Sequence, residues 1–283
     1  MRNKIWLLVF LLYSCSSFSW NALGHMVIAN IAYENLDKVT QNKVDKMVGY
    51  FHQEYKNIDS LIKMAPWPDA LRGQKIETFT HWHYINLPIA TDNRDLSTKL
   101  DTDNAVWALE KIDDIIKYTH SNVYERARFL AFFVHIVGDL HQPLHAVQLF
   151  SAAHPQGDQG GNLYYVRYHN QRTKLHTLWD SGLGVFAEDS TPEQVNQISQ
   201  QLTAFYPKTY FGKAIDDLEP MNWAQNGVEL AEKYVYNTPE DQPISENYIV
   251  EGQQVAQQQA TLAGYRLANF MNQLLGASES MSD

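Results

Sequence analysis

Residues 123–145 read VYERARFLAFFVHIVGDLHQPLH, and this stretch carries the main prediction about the fold. Apolar side chains lie on nearly all sides of a helix drawn over 123–141, which is typical of a helix buried at the centre of a domain. Pro143 should end or kink that helix, because proline has no backbone N–H to donate. The stretch predicts a mainly helical protein arranged around one buried helix.

Apolar residues at helical spacing predict further helices. The clearest lies over 103–118, where Leu109, Ile112 and Ile116 recur at steps of three and four residues. Similar patterns predict helices over 25–50, 191–204, 221–235 and 245–275.

A change of pattern occurs at 157–180, where glycines are followed by β-prone residues. We expect a short β-hairpin near 160–178. No repeat or linker interrupts the rest of the chain, so 20–283 is predicted to form one domain.

Residues 1–19 have the features of a secretory signal peptide. Arg2 and Lys4 precede a short apolar run, and small residues follow at Ser17 and Ser19. The run is too short for a permanent membrane span. We expect cleavage between Ser19 and Trp20, and hence a secreted or periplasmic protein without a stable membrane anchor.

Cys15, the only cysteine, lies in this segment. A lipoprotein signal is an alternative, although Tyr13 fits that pattern poorly. Cleavage before Trp20 would leave no thiolate, so any zinc site must use nitrogen and oxygen ligands. Loss of Arg2 and Lys4 would take the net charge from −10 to −12, and so acidic a protein needs local positive charge to bind phosphates.

Histidine and aspartate recur at a spacing that suits metal binding. His135 and Asp139 lie one helical turn apart on the predicted buried helix, and His176 and Asp180 repeat the spacing. A single pair is more often a hydrogen-bonded core histidine. Two pairs together with His145 favour a metal, because a cation satisfies buried polar groups that otherwise destabilise the core.

Three further candidates are weaker taken singly. Asp69 follows a rigid Trp-Pro dipeptide, where a helix N-cap is equally reasonable. His81 and His83 would point to one side of an extended chain, which also suits a half-buried strand. Trp20 and His25 matter if Trp20 is terminal, since a free α-amino group with a pKa of about 8 can bind zinc together with its carbonyl.

The segments that carry these candidate ligands, and their order along the chain, resemble the S1/P1 nuclease family. Its members are zinc-dependent single-strand nucleases and 3′-nucleotidases, also called type I nucleases. The most specific motif is HIVGDLHQPLH at 135–145, supported by DQGGN at 158–162, LHTLWD at 175–180 and LAGYRLA at 262–268. The resemblance runs through the whole chain after the signal segment. It implies a single helical domain of the phospholipase C and single-strand nuclease type.

The resemblance also implies three Zn²⁺ per chain, whereas the residue pattern alone does not divide the ligands among metals. The implied groups are Asp69, His83, His135 and Asp139 for one zinc, His145, His176 and Asp180 for a second, and Trp20, His25 and the shared Asp139 for the third. Three zinc ions would outweigh the aspartate charges and leave a positive centre in an acidic protein.

Substrate contacts follow from the same resemblance. Arg72 stands where the family usually has a lysine on the phosphate, and Tyr84 where an aromatic ring stacks on the base. Gly161 and Asn162 would lie against the phosphate, with Asn162 donating to it or orienting water. Asn86 replaces an acid that reads the base edge in many relatives, which leaves base preference open.

We therefore expect a secreted zinc-dependent endonuclease that cleaves single-stranded DNA and RNA to 5′-phosphate products, with 3′-nucleotidase activity. Asp69, Arg72 and Asn162 are the predicted catalytic residues. Zinc lowers the pKa of bound water from 15.7 to about 7, so hydroxide would attack phosphorus in line while the second zinc stabilises the departing 3′-oxygen. Single-stranded nucleic acid and 3′-nucleotides are the expected partners, and no protein partner is implied.

Two alternatives remain at this point. A zinc phospholipase C resembles this family, although it typically closes its site with HxxxE where this chain has HxxxD at His176 and Asp180. A non-catalytic zinc-binding protein usually carries flexible histidine-rich loops, whereas here the ligands are predicted on a buried helix and rigid turns.

Overall fold

The computed structural model describes residues 20–92, 94, 96, 100–118, 121–187 and 189–276. The predicted signal segment lies outside these residues. The described chain is mainly helical. Its α-helices are α1 (Ala22–Glu34), α2 (Lys38–Glu54), α3 (Leu61–Met64), α4 (Trp67–Gly73), α5 (Ala105–Lys117), α6 (Val123–Asp139), α7 (Pro143–Ala146), α8 (Leu175–Asp180), α9 (Pro192–Phe205), α10 (Lys208–Phe211), α11 (Pro220–Leu230) and α12 (Glu246–Gly276).

Helix α6 lies at the centre, as the sequence predicts. It packs against α2, α5 and α12, and its second half is buried from Leu130 to Asp139. The helix ends at Asp139, and Gln142 caps the short α7 that begins at Pro143. The predicted mainly helical fold is confirmed.

One predicted helix boundary was wrong. The segment 25–50 is not one helix, because α1 ends at Glu34 and α2 begins at Lys38. Asp37 accepts a hydrogen bond from the Thr40 N–H at 2.7 Å and so caps α2. Apolar periodicity continued across this break and concealed it.

Four short strands complete the fold: β1 (Leu87–Ala90), β2 (Val147–Phe150), β3 (Tyr165–Tyr168) and β4 (Gln171–Lys174). Strands β3 and β4 form the predicted antiparallel hairpin, with positive φ at both His169 and Asn170 in the turn. The parallel pair β1–β2 was not predicted. It joins the chain after His83 to the chain after His145, and so brings two candidate ligands together.

Among the described residues, no helix is both long and apolar enough to cross a membrane.

Candidate metal centre and substrate pocket

The predicted ligands converge from six elements. Helix α6 supplies His135 and Asp139, and α8 supplies His176 and Asp180. Helices α1, α4 and α7 and a 3-10 helix at Thr80–His83 supply the other predicted ligands except Trp20, which lies just before α1. The extended conformation expected at 81–83 was therefore wrong, and His81 instead points away to Asp103. All nine predicted ligands are buried, namely Trp20, His25, Asp69, His83, His135, Asp139, His145, His176 and Asp180.

The first group surrounds one oxygen of Asp139. His83 Nδ1 lies 3.0 Å and His135 Nε2 lies 3.2 Å from Asp139 Oδ2. Asp69 Oδ1 lies 3.7 Å from His83 Nδ1 and 3.6 Å from His135 Nε2. These separations fit ligands that surround a single cation.

The second group consists of His145, His176 and Asp180. The Nε2 atoms of His145 and His176 lie 3.9 Å and 3.5 Å from Asp180 Oδ1. These three residues could hold a metal ion. Two further sets around Asp139 and Asp69 could do the same, namely His83–His135–Asp139 and His25–Asp69–His135.

Asp139 is placed to serve two metals. Its Oδ2 faces His83 and His135, while its Oδ1 lies 3.3 Å from His25 Nε2. Trp20 is fully buried, and its indole N–H donates to the carbonyl of Gly138, the residue before Asp139, at 3.0 Å. The indole of Trp20 is thus anchored at the residue before Asp139, and the role of Trp20 as a ligand stays a prediction.

Backbone carbonyls fix three of the imidazole rings. The Nδ1 atoms of His135, His145 and His176 lie 2.8, 2.5 and 2.5 Å from the carbonyl oxygens of Ala65, His83 and Gly160. Each Nδ1–H therefore donates outward and leaves Nε2 directed into its group. Such outer hydrogen bonds are the usual way in which metal-binding histidines are oriented.

The charges of the centre fit a cation. Burial raises the pKa of Asp180 well above its ordinary value and lowers those of His145 and His176 to about 4 and 3. Burial also opposes protonation of His135, but Asp139 and Asp69 outweigh it and raise its pKa to about 9. Within the described residues, Asp69 Oδ1 and His145 Nε2 lack a hydrogen-bond partner. Divalent cations would satisfy these atoms and keep the carboxylates ionised.

A pocket of about 370 Å³ opens beside the second group. It brings four of the five predicted substrate residues together with two predicted metal ligands, and Gly161 is not in its lining. Its lining consists of Arg72, Thr80, Tyr84, Asn86, Leu144, His145, Gln159, Asn162 and His176. We call it the substrate pocket.

The backbone at two of the predicted substrate residues, Asn86 and Gly161, helps to shape the pocket. Asn86 has a φ of 59°, a left-handed conformation that asparagine tolerates better than most residues. Gly161 is buried, and its N–H donates to Asp158 Oδ2 at 2.9 Å. Gly161 therefore shapes the turn that carries Asn162 into the pocket.

The sequence did not assign a role to three residues that support the ligands. Gln142 donates to Asp180 Oδ1 at 2.7 Å and accepts from the Leu144 N–H. The buried Asp158 accepts from Gly161 and from the Tyr236 hydroxyl, at 2.6 Å for the latter. Gln142 and Asp158 lie within recognised motifs, but nothing in the sequence near Tyr236 indicates its contact.

Comparison with known proteins agrees with this geometry. The profile of the S1/P1 Nuclease family matches residues 20–276. The chain is 26% identical to Nuclease S1 of Aspergillus oryzae, with 90% of this chain and 92% of that protein covered. It is 25% identical to Endonuclease 3 of Arabidopsis thaliana, with coverage of 93% and 91%. It is 24% identical to Nuclease P1 of Penicillium citrinum over 57% of each chain.

Proposed function

The chain belongs to the S1/P1 nuclease family, and we propose that it is a zinc-dependent endonuclease acting on single-stranded DNA and RNA. We further propose 5′-phosphate products, 3′-nucleotidase activity and three Zn²⁺ per chain. The main support is one observation: the substrate pocket places Arg72, Tyr84 and Asn162 beside His145 and His176 of the second ligand group. A phosphate ester bound there would lie next to the candidate metals.

When bound, zinc would supply a nucleophile at neutral pH and neutralise charge on the phosphoryl group. The first zinc would be held by Asp69, His83, His135 and Asp139, the second by His145, His176 and Asp180, and the third by Trp20, His25 and Asp139.

The protein's own residues bind and orient the substrate. Arg72 would present a guanidinium to the phosphate, and Asn162, in the same lining, would offer an amide donor. Tyr84 supplies a ring for base stacking, which requires an unstacked base and so favours single strands. Asn86 offers both a donor and an acceptor to the base edge, so we expect little discrimination among bases.

Processing of the N-terminus belongs to the same proposal. We expect cleavage between Ser19 and Trp20 and a secreted or periplasmic enzyme, with 20–283 as its single domain. The buried position of Trp20 against Gly138 would hold a freed amine beside His25 and Asp139.

The test compares substrates with and without chelator. Purified protein starting at Trp20 is incubated with single-stranded DNA, RNA, a 3′-nucleotide and phosphatidylcholine. We expect chelator-sensitive cleavage of the first three. Cleavage of the lipid alone would instead support the phospholipase alternative, and no hydrolysis would support mere zinc binding.

Arg72→Ala separates catalysis from metal binding. It should lower kcat/KM on DNA about 10- to 150-fold, the loss of one charge-assisted phosphate contact, with the zinc content unchanged. Lys46→Ala, at an exposed position on α2, is the matched control. Equal activity of the two variants would contradict the role of Arg72.

A further inference from the structure

A second pocket, of about 400 Å³, also reaches the metal centre. It shares no lining residue with the substrate pocket. Its lining is mainly apolar and consists of Asn21, Ala22, Ile58, Lys63, Pro66, Trp67, Asp69 and Ala70. We call it the Trp67 pocket.

Helix α4 connects the two pockets. Trp67, Asp69 and Ala70 line the Trp67 pocket, whereas Arg72 lines the substrate pocket. Asp69 is also a member of the first ligand group, only 3.6 Å from His135 Nε2. A phosphate beside Asp69 and Arg72 would therefore lie between the two pockets, with one chemical group directed into each.

The ligands decide which part of the substrate enters each pocket. The substrate pocket is lined by His145 and His176 of the second ligand group, whose zinc we expect to stabilise the departing 3′-oxygen. The nucleoside that loses its 3′-phosphate must lie there. In-line attack leaves the position opposite the departing oxygen to the attacking hydroxide, so the nucleoside that keeps the phosphate on its 5′-oxygen projects to the side of phosphorus. The Trp67 pocket, lined by Asp69 of the first ligand group, is available to receive it. We propose that the Trp67 pocket binds this second nucleoside.

The chemistry of the Trp67 pocket suits a nucleoside. Apolar surface from Ile58, Pro66 and Trp67 can cover a base, and Trp67 is fixed in place by Phe51 and Phe132, with ring centroids 5.1 and 5.6 Å away. Few polar groups line the pocket, so base selectivity should be weak.

Lys63 adds positive charge to the Trp67 pocket. Its ammonium pairs with Asp59 at 3.0 Å, but both side chains are about half exposed, so the pair is weak and can yield to a phosphate. In an acidic protein, this local cation favours a polyanionic chain over a neutral apolar ligand.

The inference rests on the proposed function, and two substrates test it separately. A nucleoside 3′-monophosphate fills only the substrate pocket, whereas a dinucleoside monophosphate with the same first nucleoside needs both pockets. Ala70→Trp and Ala22→Trp would fill the Trp67 pocket from α4 and α1, and both alanines are exposed. Gln74→Trp, also exposed but outside both linings, is the control.

Each filling variant should lower kcat/KM on the dinucleotide about tenfold or more, the scale of one lost base contact. On the mononucleotide, kcat/KM should stay within about twofold, as for the control. If neither variant changed the ratio of the two rates, or if both substrates were lost equally, the second nucleoside would not lie in the Trp67 pocket. If the unaltered protein cleaved neither substrate, the proposed function itself would fail and this inference with it.

Discussion

Removal of the Tyr236 hydroxyl should weaken the hydrogen bonds that hold His176, a predicted metal ligand, in its orientation. Tyr236 donates to Asp158, Asp158 accepts from the Gly161 N–H, and the neighbouring Gly160 carbonyl accepts from His176 Nδ1. A π-helical turn at Ala231–Val235 precedes Tyr236, and such turns are frequent at functional sites. Tyr236→Phe therefore keeps the ring but breaks the first link.

The magnitude follows from the burial of Asp158. Its side chain is fully buried, and a hydrogen bond to a charged group contributes about 1.5–3 kcal/mol. For a chain of this size, the loss lowers Tm by roughly 3–10 °C. Weaker support of His176 should also reduce metal affinity at the second group about 10- to 100-fold.

The pH dependence has a definite sign. Burial raises the pKa of Asp158 in the folded state, and the Tyr236 hydroxyl partly offsets this by stabilising the carboxylate. Ionisation of Asp158 thus reduces stability as pH rises from its unfolded pKa, about 3.9, to its folded pKa. Without Tyr236 the folded pKa rises further. The variant's stability deficit should be largest at neutral pH and smaller near pH 4.

Denaturant unfolding in the presence of chelator measures the stability of the metal-free protein. Zinc titration of the metal-free protein then measures the affinity of each site for zinc. Tyr210→Phe is the control, because that side chain is 56% exposed. A Tyr236→Phe variant as stable as the control, with an unchanged second-group affinity, would refute the hydrogen-bond chain as a support of His176.

Three other changes probe the centre. His135→Ala should abolish activity and remove most of the stabilisation that zinc gives, measured as the Tm difference with and without chelator; an active, zinc-stabilised variant would contradict its assignment. Gln142→Ala removes a hydrogen-bond donor to Asp180 and should lower the affinity for one zinc ion about 10- to 100-fold, as measured by metal titration. One residue added before Trp20 should reduce bound zinc from three to two per chain, and a count of three would exclude the terminal amine as a ligand.

The long helices could be predicted because their apolar periodicity reflects burial directly. The boundaries of α6 and α12 lie close to the predicted ones. The break between α1 and α2 is made by two capping residues, Asn35 at the end of α1 and Asp37 at the start of α2, which change the apolar pattern very little. Strands β1 and β2 have only four residues each and lie far apart in the chain, so no local sequence pattern indicates that they pair.

In the site, too, residues related by a local sequence pattern could be predicted from spacing, whereas residues brought together by tertiary contacts could not. His135 and Asp139 share a helical face, so spacing alone pairs them. Asp69, His83 and His25 reach the centre through tertiary packing, and only the family resemblance selected them. Tyr236 had neither spacing nor motif to indicate it, because its contact with Asp158 depends on the local geometry of the π-helical turn.

The distribution of ligands links metal binding to the fold. Helices α4, α7 and α8 carry Asp69, His145, His176 and Asp180, yet they have only 7, 4 and 6 residues. Helices this short are unstable alone, whereas α6 and α12 bury long apolar faces. No disulfide can hold the short helices, since Cys15 is the only cysteine. Metal binding at the centre would therefore stabilise chiefly α4, α7 and α8. These helices also contribute residues to the pockets, α4 to both and α7 and α8 to the substrate pocket. We therefore expect loss of metal to disorganise substrate binding before it unfolds the core.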